Sequence, residues 1–158
     1  MKLTLKILSG LIAVLFLVLL MAPLAAGCDL VLHCNGHMDE MTAIASHCTP
    51  LAGEALARAF AAEAVVLRAA DSIDAGWAGG LEESAITQAA IDVAQAQYMA
   101  AEAALKAAEL LFDVGGASTT ARKHNLDRHW RNARTHTLHD PVRWKYHVVG
   151  NYHLNGVT

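Results

Sequence analysis

From Leu51 to Phe112 the chain is dominated by alanine, contains no proline, and is broken near its middle by Gly76 and Gly79-Gly80. Alanine is the best helix former and has too little bulk to fill a thick core layer, so this stretch is confined to helices whose backbones approach closely. The pattern predicts two long helices, roughly Leu51 to Ala75 and Glu82 to Phe112, folded into an antiparallel hairpin by the glycine break. In the first, Leu56, Phe60, Ala64, Leu67 and Ile73 fall near one face, the apolar period of a helix that packs on a partner. The second carries Ile86, Val93, Tyr98, Leu105 and Leu111 among its apolar positions. Such a hairpin needs further helices to cover it.

Those helices are expected downstream. Asp113-Val114-Gly115-Gly116-Ala117-Ser118 ends the second helix, since paired glycines permit positive φ and close backbone approach. Asn125 or Asp127 is expected to cap a third helix through Leu138, supported by an Asp127–Arg131 ion pair at i, i+4. Asp140-Pro141 stops that helix, and a short one follows from Val142 to Val149 before Gly150 and Asn155-Gly156 end the chain in turns. No strand pattern of convincing length and no internal repeat occurs, so the predicted class is all-α, a helical bundle. The chain has 158 residues, 54% of them apolar and 17% charged, which suits one domain with its own core and excludes disorder.

The first fifty residues read differently. Lys2 and Lys6 precede an uncharged run of 21 residues from Ile7 to Gly27, which as a helix spans about 30 Å, the thickness of a bilayer core. Residues 1–28 are therefore expected to be a signal peptide or a membrane anchor. Pro23-Leu24-Ala25-Ala26-Gly27-Cys28 resembles a lipoprotein cleavage box, and the flanking charges would leave the remainder outside the cytoplasm. Residues 29–50 form a linker without a sustained period, closed by a turn at Cys48-Thr49-Pro50. Cys28, Cys34 and Cys48 are odd in number and give no closed disulfide framework. With His33, His37 and His47 they match no well-known zinc spacing, and no metal site is expected.

Charge separates the tail from the body. Residues 1–121 carry 5 Lys/Arg against 13 Asp/Glu, and residues 122–158 carry 7 against 2. A basic segment that also holds Trp130, Trp144, Tyr146 and Tyr152 is a candidate anion site, for a cofactor phosphate or for nucleic acid. The alternative is a solvated basic face neutralised by the acidic helices.

Three motifs in the tail follow one another in order: Gly115-Gly116, then Asp127-Arg128-His129-Trp130-Arg131-Asn132-Ala133-Arg134, then Thr135-His136-Thr137-Leu138-His139-Asp140-Pro141. Together they resemble the carboxyl-terminal domain of the acyl-CoA dehydrogenase superfamily. With Asn132 and the Thr-His-Thr-Leu-His run, they are most similar to its dibenzothiophene monooxygenase and sulfur-acquisition branch. The resemblance covers about Phe112 to Thr158 well and extends plausibly back to Leu56, so residues 51–158 are expected to be this helical domain.

The resemblance implies a flavin, FAD or FMN, and a small sulfur-containing or acyl substrate. It implies that Gly115 and Gly116 lie beside the flavin phosphates of a neighbouring subunit, where a larger side chain would hold backbone N–H groups away from phosphate oxygens. By itself a Gly-Gly after a helix is usually a C-cap, and Phe112 stands where the family often has Gln. Arg128, Arg131 and Arg134 recur at three-residue spacing and could clamp a cofactor, although the equivalent arginines of the family mostly tie helices together. His136 and His139 share a helical face. The resemblance implies that they face the flavin ring, where an imidazole with a pKa near 6.5 can donate or accept a proton. Asp140 occupies the position of the dehydrogenase base but is a methylene shorter than the usual Glu and is followed by Pro141.

The catalytic candidates are thus His136, His139 and Asp140, and the cofactor candidates Gly115, Gly116, Arg128, Arg131 and Arg134. The family's amino-terminal helical domain and middle β-domain have no counterpart in the sequence. The expectation is a fragment, truncation or fusion of a flavin-dependent monooxygenase, inactive alone. A dehydrogenase remnant using Asp140 and a non-catalytic membrane-anchored helical binding protein are the alternatives. Homo-oligomerisation is expected, and so is membrane association through residues 7–27 if that run is functional; nucleic acid is not an expected partner. The resemblance itself implies a cytoplasmic location.

Overall fold

The computed structural model describes residues 38–157, and all the regular structure among them is helical. Helix α1 runs Met38–Ala78, α2 Glu83–Gly115, α3 Asp127–His139 and α4 Arg143–Asn155, with a single 3-10 turn, Ala117–Thr120, between α2 and α3. At 1.5 Å per residue the 41 residues of α1 extend about 60 Å. The predicted antiparallel hairpin is α1 and α2, and α2 is the central element, touching α1, the 3-10 turn, α3 and α4.

The hairpin interface is built from alanine. Ala55, Ala62 and Ala69 recur every seventh residue on α1 and are almost fully buried. Ala62 packs with Ala103, Ala104 and Ala108 of α2 and Ala133 of α3, while Ala55 packs with Leu110 and Leu111. Side chains of one carbon let the two backbones come together at the short end of the 8–10 Å range for helix pairs. The larger residues are consequently turned outward: Leu56, Phe60 and Leu67 are 60%, 74% and 59% exposed. The expected packing face of α1 is thereby corrected: Leu56, Phe60 and Leu67 share a stripe that faces outward, and the hairpin seam is the alanine repeat instead.

One polar group is buried in the seam. Asp92 of α2 is 4% exposed and accepts hydrogen bonds from Ser72 Oγ of α1 and from Gln88 Nε2 at 3.0 Å, with Arg68 Nε at 4.0 Å. A buried carboxylate is tolerable only when its oxygens are satisfied in this way, and a partner on each helix makes it specific for one register.

Three expected boundaries move. The turn at Cys48-Thr49-Pro50 is absent, because α1 continues through it with Pro50 inside the helix. Proline there removes one backbone donor and crowds the preceding turn, at a cost of about 3 kcal/mol. Burial of Cys48, and of Leu51 and Ala52 against Ala55, Leu110 and Leu111, favours the continuous helix. Neither Asn125 nor Asp127 caps α3: the preceding residue is Leu126, without a side-chain cap, and both polar side chains turn to Arg131 instead. Finally, α4 passes through Gly150 and stops at Gly156, whose φ of 67° and N–H bond to Tyr152 O make a left-handed C-cap.

Among the described residues no helix is long and apolar enough to cross a membrane. The uncharged run from Ile7 to Gly27 lies outside the described residues, as do Cys28, His33, Cys34 and His37. Among the described residues no group of His, Cys, Asp and Glu is arranged to hold a metal, and Cys48 is a buried free thiol.

Candidate functional site

The Gly-Gly turn has a structural cause within the chain. Gly115 is the last residue of α2, and a Cβ there would collide with the Thr119 methyl, which packs directly on it. Gly116 adopts φ 62°, and its N–H donates to Phe112 O at 2.8 Å. The 3-10 turn is stitched down by three hydroxyls that donate to carbonyls: Ser118 to Gly115 at 3.0 Å, Thr119 to Gly116 at 2.6 Å and Thr120 to Ala117 at 2.7 Å. Both glycines are required by this geometry before any ligand is considered.

The arginine stripe of α3 is exposed throughout. Arg131 is tied to Asp127 at 2.8 Å and to Asn125 at 3.3 Å, so it braces the start of the helix as the ion-pair spacing predicts. Arg134 donates to Thr137 Oγ1 at 3.3 Å, and Arg128 Nε lies 3.4 Å from His129 Nε2. Burial, assisted by the charge of Arg128, lowers the pKa of His129 from its ordinary value.

His136 and His139 occupy the last turn of α3, both exposed, with Asp140 immediately after it. Asp140 is turned to the bundle: its Oδ2 accepts from Gln97 Nε2 of α2 at 3.0 Å and pairs with Lys145 Nζ of α4 at 3.1 Å. Next to this contact the Tyr98 and Tyr146 rings meet at 4.2 Å. Consecutive residues of α2, Gln97 and Tyr98, thus fasten α4 and the α3–α4 turn. A hydrogen bond to Tyr98, then burial and the charge of Glu102, push the Tyr146 phenol up to about 12. Gln97 and Lys145 carry no signal in the sequence pattern, whereas Tyr98 is expected as an apolar position of its helix and Tyr146 as part of the basic, aromatic tail.

The candidates therefore fall into two groups. His136, His139 and Asp140 share one corner, where Asp140, Gln97 and Lys145 border an apolar cavity of about 210 Å³ walled by Ile73, Trp77 and Val93. Gly115 and Gly116 lie at the carboxyl-terminal end of α2 and just beyond it, about 27 Å along the helix from Gln97 near its middle.

The chain is similar to known proteins over most of its length. The family described as "Acyl-CoA dehydrogenase, C-terminal domain" matches residues 36–144. Dibenzothiophene monooxygenase of Mycolicibacterium goodii is 41% identical over 97 residues, 60% of this chain and 23% of that protein. "Probable FMNH2-dependent monooxygenase SfnC" of Pseudomonas putida is 40% identical over 96 residues, 58% of this chain and 24% of that protein. The solved dibenzothiophene monooxygenase TdsC of Paenibacillus sp. A11-2 superposes with a TM-score of 0.72 at 26% identity, over 96% of this chain and 40% of that one. Its FMN-bound structure superposes at 0.68 with 25% identity, again over 96% of this chain and 40% of that one. The chain spans about a quarter of the length of the curated relatives it matches.

Proposed function

Because the chain belongs to the acyl-CoA dehydrogenase C-terminal domain family, we propose that it supplies the proton-handling corner of a reduced-flavin-dependent monooxygenase. FMN is the proposed cofactor, supported by the FMNH2-dependent relative and the FMN-bound solved structure. The proposed substrate class is a small sulfur-containing molecule, on the likeness to dibenzothiophene monooxygenases. The activity belongs to an assembly that completes the flavin-binding surface.

The observation that carries this reading is the exposed pair His136 and His139 on the last turn of α3, inside the segment that matches the family. Surface imidazoles one helical turn apart fit a flavin ring brought against them from outside, and each can take or return a proton near neutral pH. The bound flavin would supply the redox chemistry. Gly115 and Gly116 are the proposed phosphate contacts, made across a subunit boundary, and the exposed arginines Arg128, Arg131 and Arg134 of α3 are the proposed cofactor clamp. Asp140 fits a positioning role: its carboxylate is engaged by Gln97 and Lys145, which leaves the dehydrogenase reading with less support.

The test is a chimera in which residues 51–158 replace the matching part of a dibenzothiophene monooxygenase, supplied with reduced FMN and oxygen. His136→Ala or His139→Ala is expected to lower oxygenated product by about 10²–10⁴-fold, with reducing equivalents diverted to hydrogen peroxide and FMN binding retained. Full product formation in both variants would remove the assignment. Flavin reduction by an acyl thioester that disappears in Asp140→Asn would replace it with the dehydrogenase reading.

A further inference from the structure

A second cavity, about 350 Å³, opens between α2, α3 and α4 and is distinct from the Asp140 corner. Its polar wall is formed by Arg134 at the middle of α3 and Arg143 at the first turn of α4, with Glu102 of α2; its apolar wall includes Leu105, Leu138 and Val142. Neither arginine nor Glu102 forms an ion pair among the described residues, and Arg134 donates to the Thr137 hydroxyl at 3.3 Å. Two arginines from different helices therefore line one concavity together with one glutamate, so its lining carries a net positive charge. Its volume lies within the range of small-molecule pockets. Guanidinium forks match the oxygens of a tetrahedral anion, and the amino end of α4 adds a favourable partial charge.

We propose that this cavity binds a small organic oxyanion, its phosphate or sulfonate head held by Arg134 and Arg143 and its apolar part against Leu105, Leu138 and Val142. The head group belongs either to a nucleotide cofactor or to a substrate, and both present the same tetrahedral oxygens. Arg143, absent from the arginine stripe, becomes a ligand residue; Arg128 and Arg131 do not border the site. The inference does not require the oxygenation reading, because anion binding is a property of this chain alone. Glu102 opposes it: its carboxylate competes for the same guanidinium groups and sets an upper limit on affinity.

The test uses the nitrogen-15-labelled full chain and follows the arginine Nε–H signals during titration with inorganic phosphate and with methanesulfonate at constant ionic strength. Saturable shifts confined to Arg134 and Arg143 are expected. Arg134→Gln and Arg143→Gln should each weaken binding about tenfold, near the value of one charge-assisted hydrogen bond. Glu102→Gln should strengthen it, a gain that damage to the fold does not produce. FMN binding more tightly than riboflavin, with loss in the same arginine variants, supports a cofactor phosphate as the source. Methanesulfonate saturating where FMN does not supports a substrate head group. Shifts that grow linearly and equally at Arg128 and Arg131, or that survive both substitutions, would overturn the proposal.

Discussion

The α1–α2 hairpin and the α3–α4 end are built on opposite terms. Among the described residues the hairpin holds most of the buried side chains, the majority of them alanine, and the buried Asp92 is satisfied from both helices. By contrast, α3 buries only Ala133 and Thr137, and α4 buries no residue completely. Its place on the bundle is held by a few specific contacts: Asp140 with Gln97 and Lys145, and Tyr98 with Tyr146. The residues proposed for chemistry sit on the weakly buried end, mounted on a rigid hairpin that contributes none of the proposed catalytic side chains. Functional groups are commonly placed this way, on the less stable part of a fold supported by the more stable part.

The largest effect that would break this contrast is overpacking of the seam. Ala62 is fully buried against Ala103, Ala104, Ala108 and Ala133, so Ala62→Leu forces three extra carbons between helices spaced for alanine. Urea unfolding should show a loss of about 1–3 kcal/mol. Arg128→Ala and His136→Ala, on the exposed side of α3, should stay within about 0.5 kcal/mol of the parent. A neutral Ala62→Leu would mean that the seam is loose and that alanine is there only for helix propensity.

A second effect tests the outer face of the hairpin. Leu56, Phe60 and Leu67 form an outward apolar stripe, which carries the expectation of self-association. Light scattering on the full chain should show concentration-dependent assembly. Replacing all three by serine should shift it toward smaller species, with helix content by circular dichroism unchanged. Equal assembly of parent and triple variant would place the sticky surface elsewhere and remove this stripe from consideration.

Helix content and the Asp127–Arg131 pair were legible because each depends on spacing within one element, and the hairpin because Gly76 and Gly79-Gly80 break the alanine run once. Which face of α1 turns inward was not legible, since a period fixes a stripe but not the partner's backbone distance; here the alanines at every seventh position decided it. Pro50 was misread as a boundary because local propensity was overridden by burial of Cys48, Leu51 and Ala52. At the candidate site, the positions of His136, His139 and Asp140 at the end of α3 were visible from the motif, but the partners of Asp140 were not. Gln97 is 43 residues away in sequence, and only the crossing of α2 with the α3–α4 turn brings the two together.

The smallest predicted effect sharpens how α4 is held. Tyr146 is half exposed, yet its phenol is pushed up to about 12, first by the hydrogen bond to Tyr98 and then by burial and the negative charge of Glu102. A phenol is neutral below its pKa, so a raised value in the fold means that the native state favours the protonated form. The associated stability is complete below the ordinary value of 10.0 and is lost as pH rises from there to about 12. Because the ring is exposed, solvent weakens this contribution, and the readout is the titration itself. Ultraviolet absorbance should show one phenol ionising late in the parent chain, and Tyr98→Phe should return it toward the ordinary range by removing the largest cause. A parent in which no phenol ionises late would mean that the Tyr98–Tyr146 contact does not persist in solution, and that α4 is held on α2 mainly through Asp140, which joins Gln97 to Lys145.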